Sequence, residues 1–262
     1  MTTLHAELDG HIPTPAELND LLPQLMGGYG HFTAAQVRDT RIQGLDLHLS
    51  RLDAASRELF GTPLDGDRIR TLIRQALTRS GHRDASLRVY GYGWQGTLST
   101  VVTVRPPATP PEHPVSLRPV PYVRPFPQVK HLGGFAQTHY TLLAEQEGYD
   151  SALLTGPDGT ISEGAVTNIG FWDGTSVVWP NAPALQGTVQ SLLERHLPDP
   201  GGLPSARRHL TLDGLGPYRA AFVTNSQGIA AVHRIGDTDF PVDEDLMKTL
   251  GAVYAAAPWD EV

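Results

Sequence analysis

Between Pro106 and Pro127 the chain carries a density of prolines that neither a helix interior nor the centre of a β-sheet accommodates, since each proline lacks an N–H and fixes its own φ. The stretch reads as an edge strand followed by a linker. It divides the 262 residues into two parts of domain size. We expect an N-terminal domain over 1–120, a linker over 121–129 and a C-terminal domain over 130–262.

The hydrophobic pattern differs on the two sides of that boundary. Upstream, Leu45, Leu49, Leu52, Ala55 and Leu59 recur at helical spacing and Gly61 can close the helix, with His48 and Arg51 off the apolar stripe. A second helix follows from about Asp67, its apolar face made by Ile69, Leu72, Ile73, Ala76 and Leu77 before Gly81. Ser86–Tyr90, Thr97–Val104 and Val115–Val120 then alternate as strands. Downstream come a helix near Thr138–Glu147 and a hairpin over Ser151–Val166 that turns at Pro157-Asp158-Gly159. Strands run on to Trp179, a helix spans Thr188–His196, a strand Ala220–Thr224, and a last helix about Asp243–Ala256. The order is α+β with mainly antiparallel hairpins rather than an alternating βαβ chain.

Composition narrows the chemistry. A formal net charge of −8 disfavours binding to nucleic acid through a basic face and leaves a small-molecule substrate as the expectation. The chain has no cysteine, which excludes disulfides, thiolate metal sites and a thiol nucleophile. No apolar run reaches the roughly 18 residues of a membrane span, and the first residues lack the pattern of a signal peptide, so a cytoplasmic protein is expected. No H-E-x-x-H or comparable histidine–carboxylate spacing is present, so no metal site is expected. Of the 20 basic residues only Lys130 and Lys248 are lysine, which leaves two candidates for any lysine chemistry.

Four local features bear on function. Gly91-x-Gly93-x-x-Gly96 matches a dinucleotide-binding pattern in letters, but it leads into the alternating strand at Thr97 rather than into a helix, and so reads as a hairpin connection. Lys130 sits in Gln128-Val129-Lys130-His131-Leu132-Gly133-Gly134-Phe135, where a lysine is either a solvated loop residue or an amine tuned for Schiff-base chemistry. Glu163, in Ile161-Ser162-Glu163-Gly164-Ala165-Val166-Thr167-Asn168, is either the exposed side of a strand or a carboxylate held for a cofactor. Arg51, the Gln186-Gly187-Thr188-Val189 turn into a helix and Thr224-Asn225-Ser226 at a strand end are possible phosphate ligands, since helix N-termini and arginine both favour anions. Each of these is also common as plain surface or turn structure.

Taken in order, the segments His31-Phe32-Thr33-Ala34-Ala35-Gln36-Val37, His48-x-x-Arg51-Leu52, Lys130, Glu163-Gly164-x-x-x-Asn168-Ile169, Gly187-Thr188 and Thr224-Asn225-Ser226 resemble the fold type IV enzymes that use pyridoxal 5′-phosphate (PLP). This is the class IV aminotransferase family, which includes branched-chain and D-amino-acid aminotransferases and 4-amino-4-deoxychorismate lyase. The resemblance implies a two-domain α+β fold, with a small N-terminal α/β domain, a larger C-terminal domain with a barrel-like sheet and the cofactor between them, in a homodimer. It implies Lys130 as the Schiff-base lysine and proton shuttle and Glu163 as the partner of the pyridine nitrogen. It further implies Arg51, the Thr188 and Val189 amides, Asn225 and Ser226 as phosphate ligands.

Two positions depart from the family pattern. Phe135 stands where branched-chain enzymes usually place a tyrosine on the cofactor O3′, and Gln36 stands where an arginine is frequent. Phe32, Gln36, Arg88 and Arg124 are the expected substrate-side residues. The implied reaction is transamination between an amino acid or amine and a 2-oxo acid. An aminodeoxychorismate lyase releasing pyruvate and 4-aminobenzoate is the alternative, carried by Lys130-His131-Leu132 and Phe32-Thr33-Ala34-Ala35. A PLP-binding module without turnover is the third reading, and the joint presence of Lys130 and Glu163 argues against it.

Overall fold

A computed structural model describes residues 4–94, 97–199 and 202–262, with backbone only at Trp94. Its contacts form two compact units: residues 1–108, 129–134 and 258–262, and residues 109–128 and 135–257.

The first unit holds β1 (His5–Leu8), α1 (Pro15–Gly27), β2 (His31–Arg38), β3 (Arg41–Gln43), α2 (Leu45–Phe60), α3 (Gly66–Ser80), β4 (Ala85–Trp94), β5 (Thr97–Arg105) and, from the far end of the chain, β15 (Trp259–Glu261). These strands make a six-stranded sheet in the order β1-β5-β4-β2-β3-β15. Along β2 buried and half-buried residues alternate, as the period of two requires, so His31, Thr33, Ala35 and Val37 turn inward. Val37 and Ala35 join Leu45 and Leu52 of α2 and Ile69, Leu72 and Ile73 of α3 in one core. Phe32, Ala34 and Gln36 occupy the opposite face of β2.

The glycines of the dinucleotide-like pattern are explained by packing. β4 and β5 pair antiparallel as far as Trp94 and Thr97, as the hairpin reading expects. A Cβ on Gly91 would lie 2.5 Å from His31 Nε2, and one on Gly93 would lie 2.5 Å from Phe60 Cδ1, so both positions must be bare for these rings to pack on β4. Gly96 lies outside the described residues.

The second unit holds β6 (Val115–Pro121), α4 (Phe135–Gln146), β7 (Ser151–Thr155), β8 (Ile161–Gly164), β9 (Asn168–Trp172), β10 (Val177–Pro180), α5 (Thr188–His196), β11 (Ser205–Arg208), β12 (Ala220–Asn225), β13 (Gly228–Ile235), β14 (Thr238–Asp239) and α6 (Glu244–Ala256). Its nine-stranded sheet, in the order β11-β10-β9-β12-β13-β6-β7-β8 with β14 on β13, curls into a half barrel. Leu153, Ile161, Phe171, Val178, Val223 and Val232 pack in one core on this sheet, while Trp179, Phe222, Leu193 and Leu250 pack in another with α5 and α6.

β6 corrects one sequence expectation. It is an interior strand, parallel to both β13 and β7, rather than an edge. Its prolines are tolerated because β13 pairs only with Val115–Leu117, so Pro119 and Pro121 lie beyond that ladder. Residues 109–128 accordingly group with the second unit and 129–134 with the first, whereas the proline run had suggested a linker over 121–129.

His31 makes a testable contribution to stability. Its ring is buried, and neither nitrogen has a hydrogen-bond partner among the described residues. Burial pushes its pKa from 6.5 down to about 4. The unfolded chain therefore binds this proton at higher pH than the folded chain does. The contribution of the neutral ring is complete above pH 6.5 and is lost progressively as pH falls toward about 4. His31→Leu is expected to reduce the pH dependence of unfolding in that window by close to one proton, measured by urea melts of the apoprotein; an unchanged slope contradicts the assignment.

Candidate active site

In the first unit, Lys130 is fixed by a short strand-like pairing. Phe32 N–H donates to the Lys130 carbonyl at 2.9 Å, Leu132 N–H donates to the Gly30 carbonyl at 2.9 Å, and His31 and His131 form an antiparallel bridge. Gly30 permits this approach, since a Cβ there would lie 2.8 Å from Leu132 Cδ1. The half-buried Lys130 carries its Nζ 4.9 Å from the centre of the Phe32 ring. Arg88 Cζ lies 5.6 Å from the same ring, and Tyr90 stacks on it at 5.5 Å. One face of the β2–β4 pair thus gathers an amine, an aromatic platform and an exposed guanidinium.

The opposite side of β2 holds Arg51. It donates to Thr33 Oγ1, which lies 2.7 Å from His48 Nδ1. His48 and Arg51 are one helical turn apart on α2, so both reach β2 together. His48 is off the apolar stripe in sequence but fully packed in the structure. Burial first, then the charges of Arg51 and Lys130, hold its pKa well below 6.5.

Gln36, an expected substrate residue, is committed locally. Its amide donates to Ser86 Oγ at 2.9 Å, and its carbonyl accepts from the Ala108 N–H at 3.0 Å.

In the second unit, Glu163 is buried on β8 and its Oε2 accepts from the Leu185 N–H at 3.3 Å. Arg124 Nη1 stands 4.0 Å from Glu163 Oε1. Burial lowers the Arg124 pKa, and the charge of Glu163 opposes that shift. Arg124, expected on the substrate side, is thus only 8% exposed and forms a buried ion pair with the carboxylate. Such a pair is a combination that sequence spacing does not reveal.

Asn168, at the start of β9, donates from Nδ2 to the Leu185 carbonyl at 2.6 Å, so Glu163 and Asn168 grip the two sides of one residue. A Cβ on Gly187 would overlap the Asn168 amide, which explains the glycine at the N-cap of α5. No side chain caps this helix. Its first two residues, Thr188 and Val189, are buried. Across the β9–β12 ladder Asn168 faces Thr224, whose buried Oγ1 has no hydrogen-bond partner among the described residues. Asn225 Oδ1 accepts from the Gln227 N–H at 2.8 Å and shapes the turn that contains Ser226. In the sequence Asn168 and Thr224 stand out only as polar side chains inside short apolar strands.

Phe135, at the start of α4, is 82% exposed and stacks on His139 with centroids 5.7 Å apart. It offers no hydrogen bond in place of a tyrosine hydroxyl.

The first unit thus holds an amine and an arginine, and the second holds a buried carboxylate backed by an arginine and a helix N-terminus without a side-chain cap. An aldehyde, a pyridine nitrogen and a phosphate are the functions that match them. The curled half-barrel sheet of the second unit is that of the fold type IV enzymes.

The chain belongs to the class IV aminotransferase family, whose model, "Amino-transferase class IV", matches residues 30–235. Pyridoxal 5′-phosphate is the cofactor of that family. Among solved structures, a branched-chain aminotransferase from Thermoproteus uzoniensis superposes with a TM-score of 0.84 at 18% identity, over 97% of this chain and 94% of its own. A PLP-bound hypothetical aminotransferase from Mycobacterium tuberculosis superposes at 0.82 with 19% identity, over 98% and 99%. The 4-amino-4-deoxychorismate lyase from Pseudomonas aeruginosa does so at 0.78 with 21% identity, over 96% and 98%. At these identities the likeness is one of fold. No curated protein matches the chain by sequence.

The buried pair can be tested by a double-mutant cycle. Removing one partner strands the other charge, at a cost of about 3 kcal/mol. Arg124→Met is expected to destabilise the apoprotein by about that much, and adding Glu163→Gln to recover part of the loss. Additive losses in denaturant unfolding would show that the two groups do not interact.

Proposed function

We propose that the chain is a PLP-dependent aminotransferase that moves an amino group between an amino acid, or an amine, and a 2-oxo acid. The observation that carries this reading is the setting of Lys130. Its amine lies over Phe32 and its segment is fixed by backbone bonds at the Lys130 carbonyl and the Leu132 N–H, while the other lysine, Lys248, is exposed and lies on α6 near Glu244 and Asp245.

When bound, PLP acts as an electron sink that stabilises negative charge at the substrate α-carbon. Lys130 would supply the amine that anchors the cofactor, and the same amine would take the proton from the substrate α-carbon and return it. Glu163 would hold the pyridine nitrogen in its protonated form, with Arg124 offsetting the carboxylate's charge in the buried site. Arg51 would hold the phosphate, together with the Thr188 and Val189 amides and the turn at Asn225 and Ser226. On the substrate side, Phe32 forms the platform and Arg88 offers a cation to a carboxylate. Gln36 shapes that face through Ser86 and Ala108. The same reading extends to a homodimer with small-molecule donor and acceptor.

Lys130→Ala is expected to eliminate the visible absorbance of lysine-linked cofactor and all turnover, while PLP is still retained non-covalently. An unchanged spectrum, with Lys248 the one remaining lysine, overturns the assignment.

The lyase is the second reading, favoured by Lys130-His131-Leu132 and Phe32-Thr33-Ala34-Ala35. The two are separated by offering D- and L-amino acids and amines with 2-oxoglutarate or pyruvate, and aminodeoxychorismate in a separate assay. We expect amino transfer that depends on the keto acid. Release of pyruvate and 4-aminobenzoate without any keto acid, as the dominant activity, reverses the order of the two readings.

A further inference from the structure

The side chains beneath Arg51 form a chain of hydrogen bonds whose direction is fixed by chemistry. A guanidinium has donors only. Arg51 Nη2 donates to Thr33 Oγ1 and also lies 3.5 Å from His48 Nδ1. Thr33 Oγ1 is itself 2.7 Å from that nitrogen. Were Nδ1 to carry a proton, its N–H would point toward the guanidinium charge and the Thr33 hydroxyl proton would find no acceptor among these three groups. With Nδ1 bare, Arg51 donates to Thr33, Thr33 donates to Nδ1, and the imidazole proton resides on Nε2. Thr33 then accepts from one neighbour and donates to the other, and no donor faces a donor.

We propose that Thr33 and His48 are positioning residues for Arg51, with His48 the neutral Nε2–H tautomer that terminates the relay and Thr33 the hinge that sets the guanidinium. The proposal rests on the reading of Arg51 as a phosphate ligand. Three observations support it. Thr33 and His48 are 3% and 5% exposed, so water does not compete for their hydrogen bonds. The charges that face His48 are Arg51, from its own helix, and Lys130, and with burial both favour the neutral ring. Adjacent residues of β2 also hold the two groups, since Phe32 N–H carries the Lys130 carbonyl and Thr33 Oγ1 receives Arg51. The amine and the guanidinium are thus referenced to one rigid strand, as pre-organised binding groups require.

The test compares PLP with pyridoxal, which lacks the phosphate, for binding to the apoprotein by fluorescence titration. Long-range 1H–15N spectra of the wild-type apoprotein report the His48 tautomer, with its signals assigned by their loss in His48→Leu. Arg51→Gln should largely abolish the preference for PLP over pyridoxal. Thr33→Val and His48→Leu should each reduce that preference about tenfold with pyridoxal affinity little changed, and Thr33→Ser, which keeps the hydroxyl, should stay within about twofold of wild type. The wild-type spectrum should show His48 protonated on Nε2 alone.

A charged or Nδ1-protonated His48 overturns the relay whatever the variants do. If Arg51→Gln loses the preference while Thr33→Val and His48→Leu keep it, the relay fails and the phosphate reading stands. If Arg51→Gln keeps the preference, the phosphate reading itself fails and the positioning role falls with it.

Discussion

The pairing of residues 130–132 with the start of β2 is the interaction on which the site depends. Two backbone hydrogen bonds and one bridge bring a segment about a hundred residues away in sequence onto the first sheet. The chain on either side of it, 109–128 and 135–257, belongs to the other unit. Closing so long a loop costs conformational entropy whatever its composition, though the cost grows only slowly with length. The pairing is worth that cost only if the approach is close. Gly30, with Leu132 and the Gly91 carbonyl against the place where its Cβ would stand, makes the approach possible. A side chain at that position would push Lys130 away from the Phe32 ring.

Buried polarity is handled differently in the two units. In the first, Thr33, His48 and Arg51 form a directional chain in which a neutral imidazole takes the last proton. In the second, Glu163 and Arg124 bury opposite charges together, and Leu185 supplies a backbone N–H to one and a carbonyl to Asn168. Removing either charge leaves the other without its counter-ion in a poorly hydrated site, so the pair specifies geometry more than it adds stability. Leu185 matters for the same reason, because its two backbone groups link the carboxylate on β8 to the amide on β9, two residues before the N-cap of α5.

Sequence pattern revealed the elements whose apolar faces were regular and missed those whose burial was decided elsewhere. α2 and α3 were legible because Leu45, Leu52, Ile69 and Leu72 recur at helical spacing and glycine closes each end. α1 was not, since Pro23 interrupts it and only Leu21 of its apolar residues is buried. β6 read as an edge because its prolines were visible while the short reach of its pairing with β13 was not. The candidate site was legible as an ordered series of motifs, which put forward Lys130 and Glu163. The series did not reveal that Arg124 stands behind Glu163, that Gln36 is occupied by Ser86 and Ala108, or that His48 is buried. Those facts depend on contacts between residues 39, 72 and 15 positions apart.

The groups proposed to hold the cofactor cannot by themselves decide the reaction. Lys130, Glu163, Arg51 and the α5 N-terminus would act on transamination and on lyase chemistry alike, and interactions that are equal along both paths do not discriminate between them. The choice must lie with residues that meet the substrate beyond its α-carbon. In the first unit these belong to the face of β2 and β4 that carries Phe32, Ala34, Arg88 and Tyr90. There Gln36 stands where an arginine is frequent in the family, and Arg88 is, besides Lys130, the cation beside the aromatic platform. Its guanidinium is exposed, so its attraction for an anion is screened and modest until a bound ligand displaces water from it. Specificity from such a residue is expressed only for a substrate large enough to cover Phe32 and reach Arg88 at once.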